Sequence, residues 1–265
     1  MTKMHSYGVS NQSFRLTILG WIVLANFVTV LLIDSVKKGS FDFSSLKIYL
    51  SSASLVTITF AIIYWVYDRY IWKINRFDKV PDLSGTWLGM ASNPYAQSLR
   101  LELMRIEQQW SKISITVDVY EGNNVDPKNA QNWLDEIRPG ESPSKVRNMG
   151  VEESTIAYID ECEQNRSKLT FNYGHSPRPV GQFPFKGVMS LDYEISGGCH
   201  GLDGSYFNTK RGTHFDSGEI FEGIIGRVVF RKVSSKLIGV KEVLQEAKAK
   251  EDLIELHREL TSQIQ

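Results

Sequence analysis

The sequence predicts a membrane-anchored all-β protein, in which an N-terminal transmembrane hairpin of two helices precedes an antiparallel β-barrel of about eight strands and a C-terminal amphipathic helix. Two long apolar runs without charges lie near the start, short segments with period-two alternation follow, and the last residues have helical periodicity. The 265 residues are 42% hydrophobic and 23% charged, which is typical of a folded chain and excludes a disordered or collagen-like one.

Charge and cysteine content limit the partners and the compartment. The formal net charge is +0, so we expect no global attraction to DNA, RNA or an anionic membrane surface, and any anion site must be local. Cys162 and Cys199 match neither a CxxC nor a zinc-ligand spacing, which is typical of a reduced cytosolic environment. One disulfide between them stays open as an alternative.

The two apolar runs are long enough to cross a bilayer: Leu16 to Ile33 has about eighteen residues without a charge, and Ile48 to Tyr67 about twenty. A secretory signal peptide is an alternative for the first run, but that run is long, lacks a small-residue cleavage site and precedes a second one. Two buried helices of a soluble domain would need amphipathic faces with charges, which neither run has. We therefore expect residues 1–15 to be an N-terminal segment and residues 16–74 a transmembrane hairpin.

Basic residues predict the orientation of the hairpin, because Lys and Arg accumulate on the cytoplasmic side. The side shared by both ends carries Lys3, Arg15, Arg69, Lys73, Arg76 and Lys79, whereas the connecting loop carries Lys37, Lys38 and Lys47. We therefore expect the N-terminus and everything after Arg69 in the cytoplasm. Aromatic residues near that side are expected to be interfacial anchors: Trp21, Tyr64, Trp65, Tyr67, Tyr70 and Trp72.

Small and hydrogen-bonding residues inside the runs, such as Gly20, Asn26 and Thr57, are typical of helix contacts in membranes. They can pack the hairpin on itself or against neighbouring copies, and both alternatives stay open. The runs contain no Asp, Glu, Lys, Arg or His, which argues against a transporter, a proton relay or a voltage sensor. Two spans make no pore without oligomerisation.

Residues 75–82 are expected to be a linker, and residues 83–233 a cytoplasmic barrel that binds a ligand. Alternating apolar residues predict eight to nine short antiparallel strands, and no helix-strand alternation suggests a parallel sheet. The predicted strands are Ser84–Met90, Leu99–Leu103, Ile113–Val119, Ser154–Asp160, Lys168–Tyr173, Phe185–Tyr193, Leu202–Asn208, Ser217–Phe221 and Gly226–Lys232. A closed up-and-down barrel of about eight strands can hold one small ligand.

Two further segments interrupt or follow the strands. The run from Glu121 to Gly150 contains three prolines and a short helical possibility around Asn129 to Ile137, and it is expected to be a long loop, either functional or plain decoration. Residues 234–265 are expected to be a helical tail, because Val240 to Leu260 has the pattern of an amphipathic helix. Packing against the barrel is the expected role of the tail, and self-association is the alternative.

The first predicted strand contains Gly85-Thr86-Trp87, which resembles the GxW signature of lipocalin-like barrels. In those barrels the tryptophan plugs one end under an arginine from the last strand, and Arg227 or Arg231 stands at a suitable place for that cation-π contact. Trp87 is therefore expected to be a plug, with a platform for a ligand as the alternative.

The usual catalytic and metal-binding constellations do not occur in the sequence. There is no GxSxG elbow, P-loop, GxGxxG, HExxH or CxxC, so we expect no enzyme activity and no cofactor. Four residues have side chains that could bind a metal: His200, Asp203, His214 and Asp216. The two histidines are not spaced i, i+4, so the sequence pattern does not favour a metal site. We therefore expect no metal.

The segment from Leu202 to Asn208 places an aromatic residue on a strand, and the basic residues Lys210 and Arg211 follow it. A nucleotide pocket combines these two features, because bases stack on aromatic rings and phosphates require cationic or N–H donors. A hairpin with a solvated basic tip has the same composition, so this alternative stays open.

The chain has an apolar hairpin, followed in order by the segments Asp82 to Gly89, Leu202 to Asn208 and Asp216 to Ile220. In this order it resembles the two-transmembrane β-barrel effectors of bacterial CBASS anti-phage systems. The resemblance covers about Leu16 to Lys232. The resemblance implies a cyclic dinucleotide receptor that is no enzyme and belongs to the inner membrane. A partner nucleotide synthase makes the ligand, and binding promotes homo-oligomerisation of the hairpins and disruption of the bilayer, which stops growth. No DNA or RNA binding is implied.

Side-chain chemistry then suggests the residues of such a pocket. They are Tyr206, Arg211, Tyr173, Tyr158 and Arg178, with Trp87 as the floor. Two other functions remain open: a membrane-anchored lipocalin-like protein that holds an apolar molecule, and a non-toxic scaffold. An interior lined with aliphatic residues, without an inward Arg or Lys, would favour the apolar ligand.

Overall fold

The computed structural model describes residues 5–6, 8–9, 61–74, 80–93, 98–122, 146–161, 167–178, 183–196, 198–213, 220–245, 255–256, 258 and 260. The first predicted span lies outside these residues, and the second enters them only from residue 61. Residues 61–69 are helical, and a 3₁₀ turn follows at Ile71–Ile74. Within the described parts of the chain, no helix has the length and apolar character that crossing a membrane requires. The central part of the predicted loop, residues 123–145, is also outside the described residues.

Two short N-terminal strands and eight longer strands form the sheet. The strands are β1 (His5–Ser6), β2 (Gly8–Val9), β3 (Gly85–Asn93), β4 (Ser98–Gln108), β5 (Lys112–Gly122), β6 (Val146–Glu161), β7 (Ser167–Pro177), β8 (Phe185–Ser196), β9 (Cys199–Thr213) and β10 (Ile220–Ser234). From β3 to β10 each strand pairs antiparallel with the next, and β10 pairs back with β3, with Val228 opposite Ala91. The predicted antiparallel barrel is therefore confirmed, as a closed barrel of eight strands.

From Ile220 onward, the two last predicted strands, Ser217–Phe221 and Gly226–Lys232, are one strand, β10. Its register shifts between Glu222 and Ile224, and Gly223 between them has φ of 86°. A bulge of this kind adds an unpaired residue, which breaks the period-two pattern without ending the strand. The sequence pattern therefore suggested a turn where the strand continues.

The barrel is covered on part of its outer face by the tail. Leu88, Leu101, Val229 and other outward residues of β3, β4 and β10 pack with three buried tail residues: Val243, Leu256 and Leu260. The tail contains helix α1 (Val240–Gln245) and further helical positions at residues 255, 256, 258 and 260. The prediction that the tail packs against the barrel is confirmed.

Residues 9–81 and 109–111 form a second compact unit. In this unit the ring of Trp110 lies 5.4 Å from that of Tyr67, edge to face, and both pack with Trp72. The backbone N–H of Trp110 donates to the carbonyl oxygen of Asp68, at 2.9 Å. Tyr67 and Trp72 are therefore buried in protein contacts, which corrects their expected role as interfacial anchors, whereas Trp65 and Tyr70 are exposed.

Candidate ligand-binding site

Six polar side chains converge inside one end of the barrel, and we refer to them as the interior polar cluster: Glu102, Glu152, Tyr173, His175, Tyr206 and Asn208. All six are buried. Strand register places them on the inner face, because directly paired residues lie on the same side of a sheet. Glu152 on β6 pairs with Val117 and with His175, and Val117 pairs with Met104, which is opposite Trp87.

Glycines on neighbouring strands make room for the two tyrosines. A Cβ atom at Gly187 would lie 2.3 Å from Cζ of Tyr173, and one at Gly226 would lie 2.4 Å from Cε1 of Tyr206. Any other residue at these positions would push the rings away, since Cβ atoms do not approach other heavy atoms so closely. Gly187 and Gly226 therefore let the two rings lie directly over the neighbouring backbone.

Glu152 and His175 are two neighbouring titratable groups of the cluster. Nδ1 of His175 lies 3.5 Å from Oε1 of Glu152, and both side chains are only about a twentieth exposed. Burial raises the pKa of Glu152 to about 8, although the nearby charge of Arg100 acts in the opposite direction. Burial also lowers the pKa of His175 to about 4, with help from Arg100 and Lys210. Both groups are therefore largely neutral at pH 7, and their contact is polar rather than an ion pair.

Glu102 on β4 is a second buried carboxyl group close to the first. Burial raises its pKa well above the ordinary value, the charge of Glu152 raises it further, and Arg100 lowers it. Arg100 is two residues away on β4, opposite Ala91, and therefore belongs to the same inner face. Two buried carboxyl groups that repel each other do not both ionise near neutral pH.

Three atoms of the cluster have no hydrogen-bond partner among the described residues: Oε2 of Glu102, Oε2 of Glu152 and Nδ1 of His175. A buried polar atom without a partner costs roughly 1–3 kcal/mol, so such atoms are rare in folded proteins. Three of them at one end of a barrel mark the place where a polar ligand or bound water would complete the hydrogen bonding.

The two tyrosines of the cluster are neutral hydrogen-bonding groups. Burial raises the pKa of both Tyr173 and Tyr206 above the ordinary value for a phenol. The hydroxyl of Tyr206 donates to the carbonyl oxygen of Ser92 at 3.2 Å, and the side chain of Asn208 hydrogen-bonds Tyr173. Both rings thus have fixed positions beside the two carboxyl groups.

An aromatic and cationic rim lies next to the cluster. The ring of Phe185 stacks on His175, with centroids 4.3 Å apart and an interplanar angle of 11°. Nζ of Lys210 lies 6.0 Å from the centroid of Phe185 on β8. Phe185, Lys210 and Arg100 are half-buried, so a ligand can reach them from outside the barrel.

The structure brings together only part of the predicted pocket. Tyr173 and Tyr206 are both in the interior polar cluster. Tyr158 pairs with Thr170, faces outward and is 47% exposed, because the neighbours Ala157 and Ile159 take the inward positions. Arg178 is exposed just after β7.

The backbone of Arg211 belongs to β9 and pairs with Glu222, but its side chain lies outside the described residues.

Trp87 lies at the other end of the barrel and is a plug. It is fully buried, its Nε1 donates to the carbonyl oxygen of Leu83 at 2.9 Å, and Tyr193 contacts it edge to face. The cation on its ring is Lys232, whose Nζ is 5.5 Å from the centroid.

The predicted arginine partner of the plug is therefore wrong. Arg231 pairs with Leu88 and so lies on the outer face, and Arg227 binds Asp203 with Nε 3.0 Å from Oδ1. In a strand only every second residue points inward, and Lys232 is the one that pairs with Trp87.

A cleft of about 560 Å³ lies near this plugged end, between the β8–β9 hairpin, the end of β10 and Glu255. Two of its polar residues already have partners: His200 Nδ1 is 2.5 Å from the hydroxyl of Tyr193, and Nζ of Lys232 donates to the carbonyl oxygen of Asp82 at 3.3 Å. We therefore place the candidate site at the interior polar cluster, where buried polar atoms are unpartnered.

The structure describes two of the four residues of the metal site considered from the sequence. His200 and Asp203 are bound to other side chains, and His214 and Asp216 lie outside the described residues. Over the described parts of the chain, no three His, Cys, Asp or Glu side chains are close enough to hold a metal ion.

Sequence reasoning did not identify Arg100, Glu102, Glu152, His175 or Asn208. Glu102 alternates with Leu101 and Leu103, so the pattern shows two faces without showing which one is inside. The available signal was the pairing of β4 with the strand that carries Trp87, since Met104 lies opposite Trp87 and Glu102 is two residues away.

Comparison with protein-family models, with curated proteins and with solved structures finds no match to this chain.

Proposed function

We propose that this protein is a membrane-anchored receptor for a cyclic dinucleotide, and that ligand binding in the barrel promotes assembly of the hairpins and disruption of the inner membrane. The observation that carries the proposal is the set of unpartnered buried atoms in the interior polar cluster, which lies beside an aromatic and cationic rim. The protein acts as a receptor, without catalysis.

The chemistry of the site suits a nucleotide. The edge of a base requires hydrogen-bond donors and acceptors, which the Glu102 and Glu152 carboxyl groups and the His175 ring supply. A base also stacks on an aromatic ring, and Phe185 offers one at the rim. Phosphates require cations, and Arg100 and Lys210 are half-buried beside the cluster.

A purely apolar ligand fits this site less well. An aliphatic molecule packed against Glu102, Glu152 and His175 would leave their polar atoms without partners, which is unfavourable. The inward position of Arg100 also differs from the all-aliphatic lining that such a ligand favours. These points support the nucleotide over the lipocalin-like alternative.

The effector step follows from population shift. A ligand that binds an assembly-competent state more tightly moves the equilibrium toward that state, and a change from 1:99 to 99:1 needs about 5.5 kcal/mol of differential affinity. A nucleotide dianion enclosed by a polar site would supply that energy. The apolar runs Leu16 to Ile33 and Ile48 to Tyr67 are the segments that would then assemble in the bilayer.

The first test is thermal unfolding of the full-length chain in detergent with a panel of cyclic di- and trinucleotides. A ligand at 100 times its Kd adds about 2.7 kcal/mol to the stability, so one member of the panel should raise the midpoint clearly. Tyr206→Phe should weaken that shift, whereas the matched control Tyr158→Phe, at an outward position, should leave it unchanged.

The second test is growth and membrane potential in cells that express the full-length chain together with a synthase for the active nucleotide. We expect growth arrest and depolarisation that depend on the nucleotide. A cooperative unfolding transition that no member of the panel shifts would contradict the receptor.

A further inference from the structure

We propose that the outer face of strands β8, β9 and β10 binds a second copy of this chain, in a two-fold symmetric contact that needs no ligand. This contact goes beyond the receptor function proposed above, because it concerns the outside of the barrel and not its interior. Three apolar residues form the centre of the surface, and we refer to them as the outer row: Val188, Phe207 and Ile225.

The outer row is a line of apolar side chains in direct register. Val188 on β8 pairs with Phe207 on β9, which pairs with Ile225 on β10. The exposed fractions of these three residues are 39%, 47% and 57%. Paired strands lie about 4.8 Å apart, so the three side chains adjoin on the outer surface. Adjoining apolar groups that remain in water mark an interaction site, whereas a single exposed one does not.

The tail covers a different part of the outer surface. Leu88, Leu101 and Val229 point outward from β3, β4 and β10, and they are buried with the tail residues Leu256 and Leu260. The outer row, by contrast, stays exposed. Apolar outward residues of this barrel are thus buried within the chain on one side and left in water on another, and the exposed side is the one that can bind a second molecule.

Small polar residues form a lower strip beside the outer row. Ser190 on β8 and Ser205 on β9 pair with each other, each two residues along its strand from a member of the outer row. Residues two apart on a strand lie on the same face. A two-fold axis that crosses the strands between the two rows places Val188 of one copy over Ser190 of the other, and likewise Phe207 over Ser205. Large side chains therefore meet small ones on both copies.

The charges on β8 favour a second copy as the occupant. Lys186 lies two residues from Val188 on one side, Asp192 lies two residues from Ser190 on the other, and both are exposed. Residues at equal distances from a two-fold axis exchange places between the copies. The axis that matches large with small side chains therefore also brings Lys186 of each copy to Asp192 of the other. The same pair of opposite charges occurs twice in one contact, which favours this arrangement over a parallel one.

The neighbours of Asp192 keep its surroundings acidic. Asp192 pairs with Lys168 on β7 and with Asp203 on β9. Asp160 on β6 also pairs with Lys168, and Arg227 binds Asp203. Among the described residues of this row, three aspartates thus have two cations. A lysine from a second copy therefore meets an excess of negative charge.

The experiment measures self-association of the full-length chain in phosphatidylcholine vesicles without nucleotide, by energy transfer between two fluorescent labels at a series of protein-to-lipid ratios. Phe207→Ser should weaken self-association at least about tenfold, because it removes the largest side chain of the outer row. Phe183→Ser is the matched control, since Phe183 is 86% exposed but lies outside the outer row, and it should leave the affinity unchanged. The unfolding midpoint of each variant shows that the barrel remains folded.

Exchange of charges tests the two-fold arrangement. Lys186→Asp should weaken self-association about fivefold at low salt, because it places like charges opposite each other twice in one contact. Asp192→Lys should do the same. The double variant carries both changes and restores opposite charges, so its affinity should return to that of the unmodified chain. Lys236→Asp, at an exposed position after β10, is the control and should have no effect.

Cross-linking tests the direction of the strands. The background is a chain in which Cys162 and Cys199 are replaced by serine. A mixture of Lys186→Cys and Asp192→Cys chains should be joined by a short bifunctional maleimide. Neither variant should be joined to itself, because six strand residues span about 20 Å.

Three results would overturn this inference: a chain that stays monomeric at every protein-to-lipid ratio, self-association that folded Phe207→Ser leaves unchanged, or cross-linking of Lys186→Cys chains with each other. They would leave the receptor function intact, since thermal unfolding measures nucleotide binding separately. A loss of self-association in Phe207→Ser, in a protein that no cyclic nucleotide stabilises, would support the contact and contradict the receptor.

Discussion

Nδ1 of His175 lies 3.5 Å from Oε1 of Glu152 inside the barrel, and burial shifts the pKa values of the two groups in opposite directions. The pKa of the imidazole falls to about 4 and that of the carboxyl group rises to about 8. A contact that would be an ion pair at the surface is therefore a neutral one here. The relationship makes the stability of this barrel sensitive to pH.

The stability of the barrel should fall as the pH rises from about 6.5 to 8. A carboxyl group with a raised pKa stabilises the fold below its unfolded value, near 4.3, and this contribution is lost as the pH rises to its folded value of about 8. The unfolding free energy should drop by about 2 kcal/mol over this range from Glu152 alone. Urea unfolding at a series of pH values measures it.

Two controls locate that effect. Glu152→Gln should flatten the decline above pH 6.5, whereas Glu153→Gln on the exposed face should leave it intact. On the acid side, His175 contributes stability above pH 6.5 that is lost as the pH falls toward about 4. A decline above pH 6.5 that persists fully in Glu152→Gln would contradict the assignment to this carboxyl group.

Gly187→Ala should destabilise the barrel and disturb the position of Tyr173. The added Cβ would lie 2.3 Å from Cζ of the ring and 2.6 Å from the carbonyl oxygen of Phe207, so backbone and ring must both move. We expect a loss of about 1–3 kcal/mol, which is typical of overpacking. Thermal unfolding of the variant measures the loss.

The matched control for this change is Gly174→Ala, one residue from Tyr173, because a Cβ there meets no atom within 4 Å. It should be neutral or slightly stabilising, since alanine restricts the unfolded chain. Equal effects of the two alanines would show that crowding of Tyr173 is not the cause.

Trp87→Ala should destabilise the barrel by about 3–5 kcal/mol, because it empties the space of a fully buried ring at the plugged end. Lys232→Met removes the cation above the ring and the hydrogen bond to Asp82, so a loss of at least about 1 kcal/mol is expected. Chemical denaturation of the two single variants and of the double variant measures their coupling. If Arg231→Met cost as much as Lys232→Met, the choice of lysine as the partner of Trp87 would be wrong.

Leu256→Ala should cost about 2–5 kcal/mol, because this tail residue is fully buried with Leu88 and Leu101 on the outer face of the barrel. Glu255→Ala, at the exposed neighbouring position, is the control and should change the stability by less than about 0.5 kcal/mol. Thermal unfolding of both variants gives the comparison. An unaffected Leu256→Ala variant would mean that the tail contributes no stability to the barrel.

Much of the fold was predictable because period-two alternation is a local property. Leu101 and Leu103 mark β4, and the pattern of the tail marks a helix that packs through Val243 and Leu256. GxW also predicted the plug at Trp87. The pattern failed at Gly223, where a bulge reverses the alternation within one strand.

The sequence by itself determined the barrel, its plug and the position of the tail, and it predicts the hairpin that lies mostly outside the described residues. Only the tertiary structure decided which face of each strand is inside. On β4 both Leu101 and Glu102 are buried, because the tail covers the leucine and the barrel encloses the glutamate. The candidate site depends on that choice, since closure of β10 on β3 and the register of all eight strands bring Glu102, Glu152 and His175 together, and no local pattern encodes a register between distant strands.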